Sequence, residues 1–245
     1  MAVIAVYSVK GGVGKTTLAA NLAWCAATQA GRSTLLWDLD AAGGAGFLFG
    51  VEPRTRHHAG SIFARDADPA DLIVPSGHAL LDVLPADESL RDLDARLVRI
   101  GKKRRLARLA EALTGRYQRI VLDCPPVLNE LSAQVVRAAD VVIVPLPPSP
   151  LSARAFAMVV EEIRRHAKVQ PPILPVLSML DLRRKLHRQA REDNPSWPAI
   201  PYASAVEQGA VQQRPVGAID PASPAAQAFA LLWAAIDRKL VEGKT

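Results

Sequence analysis

Cysteine is nearly absent from this 245-residue chain: Cys25 and Cys124 are the only two, far apart and without metal-ligand spacing. That excludes a disulfide scaffold, a zinc ribbon or an iron–sulfur centre from the expected chemistries and suits a reducing compartment. Long hydrophobic runs are missing too. No stretch reaches the roughly 18 apolar residues of a membrane-spanning helix, and the opening MAVIAVYSVKGG lacks the basic start and cleavage site of a secretory signal. A cytoplasmic protein with no integral membrane segment is expected. Repeats, low-complexity tracts and linkers are also absent, so the chain reads as a single domain over 1–245. Charge is not one-sided: 30 Lys and Arg stand against 24 Asp and Glu, a net +6 that does not by itself identify a nucleic-acid partner.

What is present is a 49% apolar composition and a regular alternation of patterns. Short β-branched or aliphatic runs at 2–8, 33–40, 79–86, 117–125, 140–147 and 172–180 read as buried strands. Helical patterns fall at 15–30, 129–139, 151–167 and 222–240, and 41–78 reads as loop with short helices. Continuous apolar strands separated by helices predict an α/β fold, a mostly parallel twisted sheet flanked by helices on both faces.

The stretch SVKGGVGKTT, 8–17, sits between the first strand and the first helix. A phosphate loop reads G-x-x-x-x-G-K-[ST]. Gly14, Lys15 and Thr16 fit, Val9 stands where the first glycine is expected, and a second lysine, Lys10, follows it. The backbone N–H groups of Lys10, Gly11, Gly12, Val13, Gly14, Lys15, Thr16 and Thr17 are expected to surround phosphate oxygens, helped by the positive end of the helix. Lys15 would reach the β- and γ-phosphates, and the Thr16 hydroxyl would hold Mg²⁺. Metal-assisted phosphoryl transfer also needs carboxylates at neighbouring strand ends. IVLDCPP places Asp123 there and LLWDLD places Asp38 and Asp40, the latter two sharing a face if their strand continues.

Taken together, KGGVGKTT, LLWDLDAAGG, YQRIVLDCPP, ADVVIVPLPPSPLSARAF, LSMLDLRRKLHRQ and RPVGAIDPASPAAQAF resemble the ParA/MinD family of deviant-Walker ATPases, in the family's order and over nearly the whole chain. The resemblance implies a P-loop NTPase fold, ATP and Mg²⁺ as ligands, and a homodimer when ATP is bound. It assigns Lys10 as the signature lysine that reaches the partner's nucleotide across an ATP sandwich. It makes Lys10, Lys15 and Asp40 the catalytic set, with Asp40 orienting the attacking water. Asp38 supports the metal region, Asp123 is the Walker B carboxylate, and Pro201 lies near the adenine. The phosphate loop then spans 9–17, switch I about 38–46 and switch II about 123–130. Two departures stand out: AAGG at 41–44 replaces the usual Pro-Gln-Gly-Asn, and the loop YASAVEQG at 202–209 lacks arginines that DNA-binding members often carry.

Basic residues cluster in RIGKKRRLARL at 99–109, RRHAK at 164–168 and LRRKLHRQAR at 182–191. The favoured expectation is a ParA-type partitioning or positioning ATPase whose dimer binds DNA without sequence preference through Arg183, Arg184, Lys185 and Arg188. A ParB-like or cargo-adaptor protein would stimulate hydrolysis, and the protein would associate with the nucleoid. The alternative is an accessory ATPase of a secretion or polysaccharide machine that binds no DNA. A MinD-like membrane switch is disfavoured, because Phe229, Leu232, Trp233 and Ile236 fit a C-terminal helix packed on the domain.

Overall fold

The computed structural model describes residues 1–54, 57–64, 67–167 and 169–242; Lys168 of the second basic cluster lies outside the described residues. Strands are β1 (Ala2–Val6), β2 (Thr34–Asp38), β3 (Val74–Pro75), β4 (Leu81–Leu84), β5 (Arg119–Asp123), β6 (Val141–Pro145), β7 (Ile173–Leu180) and β8 (Ala199–Pro201). They form one sheet in the order β3-β4-β2-β5-β1-β6-β7-β8. Pairing is parallel throughout except where β3 runs antiparallel to β4.

Helices are α1 (Lys15–Thr28), α2 (Gly44–Phe47), α3 (Ser61–Ala64), α4 (Pro69–Leu72), α5 (Leu93–Ile100) and α6 (Arg105–Glu111). They continue with α7 (Glu130–Ala138), α8 (Pro150–His166), α9 (Lys185–Asp193), α10 (Ser204–Gln212), α11 (Val216–Ile219) and α12 (Pro224–Glu242). The central strands are buried on both sides, so their side chains feed two cores alternately. Val3, Ala5 and Tyr7 join the core beneath α3 and α5–α8. Ala2, Ile4 and Val6 join the core beneath α1 and α12, where Phe229, Leu232, Trp233 and Ile236 are buried as expected of a docked C-terminal helix. Trp37 is only 1% exposed and packs against Phe63.

This topology positions the site. The chain leaves β1 toward β2, on the far side of β5, and crosses from β5 over β1 to β6. The C-terminal ends of β1, β2 and β5 therefore converge on a switch point of the kind that receives ligands in open α/β sheets.

The expected fold class holds, with corrections of detail. The second strand stops at Asp38 instead of running to residue 40, and β4 is shorter than 79–86. Two edge strands, β3 and β8, and helices α5, α6, α9 and α10 add to the elements read from the sequence: the strands are too short to show a period, and the helices are short and rich in charged or polar residues. One arginine of the 99–109 cluster is not a surface charge: Arg105 is buried and donates to the carbonyls of Ile62 and Phe63 at the end of α3.

Candidate nucleotide-binding site

The loop after β1 needs its glycines. Gly12 and Gly14 take φ of 67° and 87°, left-handed values that a side chain would strain. Val13 is buried between them, and its carbonyl accepts a 3.0 Å bond from the Ser178 hydroxyl on β7. Gly14 caps α1 with no side-chain bond, so the first N–H groups of α1 are left for an anion.

The two lysines part company. Lys15 is 7% exposed, its Nζ 3.4 Å from the Lys10 carbonyl. Burial pulls its pKa down, opposed by the charges of Asp123 and Asp40. Lys10 turns away from the loop to the first turn of α8, its Nζ 3.3 Å from Ser152 Oγ and 3.4 Å from Ser149 Oγ.

The three aspartates also differ. Asp123 is fully buried and neither carboxylate oxygen has a hydrogen-bond partner of normal geometry. Burial, and then Asp38, push its pKa well up; the nearby Thr16 hydroxyl and Lys15 pull the other way. Asp38 is equally buried but accepts from the backbone N–H of Asp40 at 3.0 Å and of Ala45 at 2.9 Å. Burial raises its pKa as well. Because β2 ends at Asp38, Asp40 does not continue the strand face: it sits half-exposed in the turn, accepting from Ala42 N–H at 3.1 Å. Gly44, which stands where the family pattern has Asn, answers a packing need, as does Gly46 two residues on. A Cβ on Gly44 would lie 3.0 Å from Thr16 Cγ2, and one on Gly46 would lie 2.8 Å from the Val51 carbonyl.

Beside Gly14 and Thr17 lies a small cavity of about 200 Å³, walled by Met179, Ile200, Pro201 and Phe229. Its apolar walls and its contact with the loop suit a flat base, with Pro201 on the wall. Met179 holds a left-handed φ of 52°, an unusual conformation for a side-chain-bearing residue.

Arg183, Arg184, Lys185 and Arg188 come together as exposed residues at the start of α9. They are not equivalent. Arg183 forks onto Asp181 at 2.8 and 3.0 Å, which holds the Asp181 carboxyl down at about 2. Arg188 donates to the carbonyls of Leu182 and Arg183, both at 3.0 Å. Arg184 and Lys185 have no side-chain hydrogen bond or ion pair among the described residues. Beneath them His187 is 4% exposed, and its Nδ1 accepts the Asp181 N–H at 3.0 Å.

Sequence reasoning missed the Lys10 seat on Ser149 and Ser152, although S-P-L-S has helix-cap spacing, and it missed Met179 and Tyr7. Among the described residues no cluster of His, Cys, Asp and Glu of metal-site size occurs and no helix is long and apolar enough to cross a membrane.

Comparison with known proteins agrees with this geometry. A family model described as an AAA domain matches residues 1–174. The sporulation initiation inhibitor protein Soj of Bacillus subtilis is 31% identical over 240 residues, covering 93% of this chain and 94% of Soj. The chromosome partitioning protein ParA of Caulobacter vibrioides is 33% identical over 201 residues, 78% of this chain and 74% of that protein. Among solved structures, a cobyrinic acid a,c-diamide synthase from Mycobacterium smegmatis with bound ATP analog and magnesium superposes with a TM-score of 0.83 at 28% identity, covering 99% of this chain and 96% of the other. The septum site-determining protein MinD of Pyrococcus horikoshii, complexed with Mg-ADP, gives 0.77 at 25% identity, covering 100% and 98%. With a phosphate loop of two lysines, strand-end aspartates and full-length relatives of this kind, the chain belongs to the ParA/MinD family of P-loop ATPases.

Proposed function

We infer that this protein is a ParA-type ATPase: it binds ATP with Mg²⁺ at the 9–17 loop, pairs with a second copy while ATP is bound, holds DNA without sequence preference in that state, and is reset by hydrolysis. Its task is to partition or position DNA or another cargo, with a ParB-like or cargo-adaptor protein stimulating release. The partitioning relative and the magnesium–nucleotide complexes of the structural neighbours support this reading.

One observation carries it. Lys10 leaves its own phosphate loop and rests on two hydroxyls at a helix N-terminus, where the helix dipole opposes a cation. A lysine so weakly seated is available to a second molecule's triphosphate, and a cation delivered in trans compensates phosphate charge as an arginine finger does. Lys15 serves its own chain's β- and γ-phosphates.

The residues present fit a magnesium ion. Two buried carboxylate oxygens without partners on Asp123 are costly unless a cation takes them up, and the Thr16 hydroxyl faces the same place. Bound with the nucleotide, Mg²⁺ neutralises charge on the phosphates. Asp38, its oxygens held by backbone N–H groups, fixes the loop that presents Asp40 and supports the metal region. Asp40 orients the water. The 200 Å³ cavity with Pro201 on its wall takes the adenine.

The test is light scattering of Asp40→Ala and Lys10→Ala proteins with ATP and Mg²⁺. Asp40→Ala is expected to double in mass and hydrolyse poorly; Lys10→Ala is expected to bind ATP and remain single. An ATP-loaded Asp40→Ala protein that stays monomeric overturns the sandwich. Failure of the dimer to shift unrelated duplexes at low salt, with dimerisation intact, would leave the accessory ATPase of a protein machine as the reading.

A further inference from the structure

Switch II is poorly tied down by its own backbone. Pro125 and Pro126 contribute no N–H, and the segment's internal bond is Val127 N–H to the Pro125 carbonyl at 2.9 Å. Among the described residues, one hydrogen bond reaches 125–128 from outside: the Tyr7 hydroxyl donates to the Val127 carbonyl at 2.6 Å. Tyr7 is 1% exposed and immediately follows β1, two residues before the phosphate loop begins at Val9. A phenol at that point spans from the root of the phosphate loop to the far side of the switch.

The tie continues behind the switch. The Ser132 hydroxyl, beside Tyr7, accepts from Asn129 N–H at 2.9 Å and lies 2.6 Å from Glu162 Oε1. Glu162, 6% exposed on α8, faces His166 at 3.5 Å, and α8 is the helix whose first turn seats Lys10. Burial pushes the Tyr7 phenol well above its ordinary range, so it remains a donor at all working pH values.

We propose that Tyr7 is the positioning residue of switch II: its hydroxyl pins the Val127 carbonyl to the root of the phosphate loop, and Ser132 and Glu162 extend that hold to α8. Tyr7 acts by fixing the chain that leaves Asp123, so its loss should affect turnover and leave nucleotide affinity alone. The consequence for turnover rests on the ATPase reading above; the pinning itself does not.

The experiment uses Tyr7→Phe, which keeps the ring and deletes one oxygen, in the full chain. Without nucleotide, amide exchange of 124–130 is expected to rise at least severalfold while 10–17 stays unchanged. With ATP and Mg²⁺, kcat is expected to fall about tenfold with KM within twofold. Ser132→Ala should loosen 127–128 along with its own cap at 129–132, and Ser132→Thr, which restores the hydroxyl, should recover both; if Tyr7→Phe does not fold, unchanged exchange at 127–128 in Ser132→Ala overturns the proposal. Unchanged exchange in 124–130, or raised exchange with normal kcat, overturns the proposal. A native protein that hydrolyses no ATP defeats the ATPase reading instead, and the exchange result then judges the pinning by itself.

Discussion

At the scale of single residues, the buried carboxylates of the site differ in what they are paired with. Asp38 has two backbone donors; Asp123 has none and faces Thr16 and Lys15. That difference separates a carboxylate that shapes a loop from one whose oxygens are left for the proposed magnesium ion. Hydrogen bonds to charged groups contribute about 1.5–3 kcal/mol, so Asp123→Asn should remove roughly 10- to 100-fold of the affinity gained from Mg²⁺. Titrating a fluorescent ATP analogue with Mg²⁺ and again with a chelator measures that gain directly. A full magnesium effect in the variant would take Asp123 out of the metal site. Cys25 has no comparable part: burial pushes its thiol up to about 12, and it behaves as core.

At the scale of elements, α9 is held to the sheet by little besides His187, its one buried side chain. Neutral His187 accepts the Asp181 N–H; burial and then Arg184 lower its pKa, with the Asp181 charge opposing. The folded form therefore favours neutral imidazole. The stability it contributes is complete above the ordinary histidine value of about 6.5 and is lost as pH falls through the lower folded value. Amide protection across 181–193, corrected for intrinsic exchange, should drop between about pH 7.5 and 5.5, and His187→Gln should flatten that dependence. Protection that does not change with pH would show that the tether lies elsewhere. The same helix marks where the sequence stops being legible. β1, β5 and β6 could be read because burial on both faces makes them continuously apolar, and the phosphate loop because positive φ demands glycine at fixed spacing. With one inward side chain, α9 has no apolar period to read, and β3 and β8 are too short to have one. Asp38 and Asp40 were legible as strand-end carboxylates, but where β2 stops depends on the backbone bonds Asp38 makes. The Lys10 seat and the Tyr7 bond join residues 142 and 120 positions apart, and no local pattern announces such contacts.

At the scale of the whole molecule, a net charge of +6 matters less than which cations are unengaged. Arg183 and Arg188 build the turn before α9; Arg184 and Lys185 face solvent with no internal partner among the described residues. Each phosphate contact contributes a slope of about −0.9 in log K against log salt on duplex DNA. Replacing both Arg184 and Lys185 by Ala should therefore flatten that slope by about 2 without changing dimer mass, as read by anisotropy over a salt series. An unaltered slope would take Arg184 and Lys185 out of the proposed DNA contact. The sheet's margins set a last condition on assembly. One border is a two-residue strand and the other a three-residue strand, and each ends in proline. Stubs that brief offer no ladder onto which another chain's backbone could add. Polymers or lattices larger than a pair must be bonded through helix and loop surfaces, never stitched border to border.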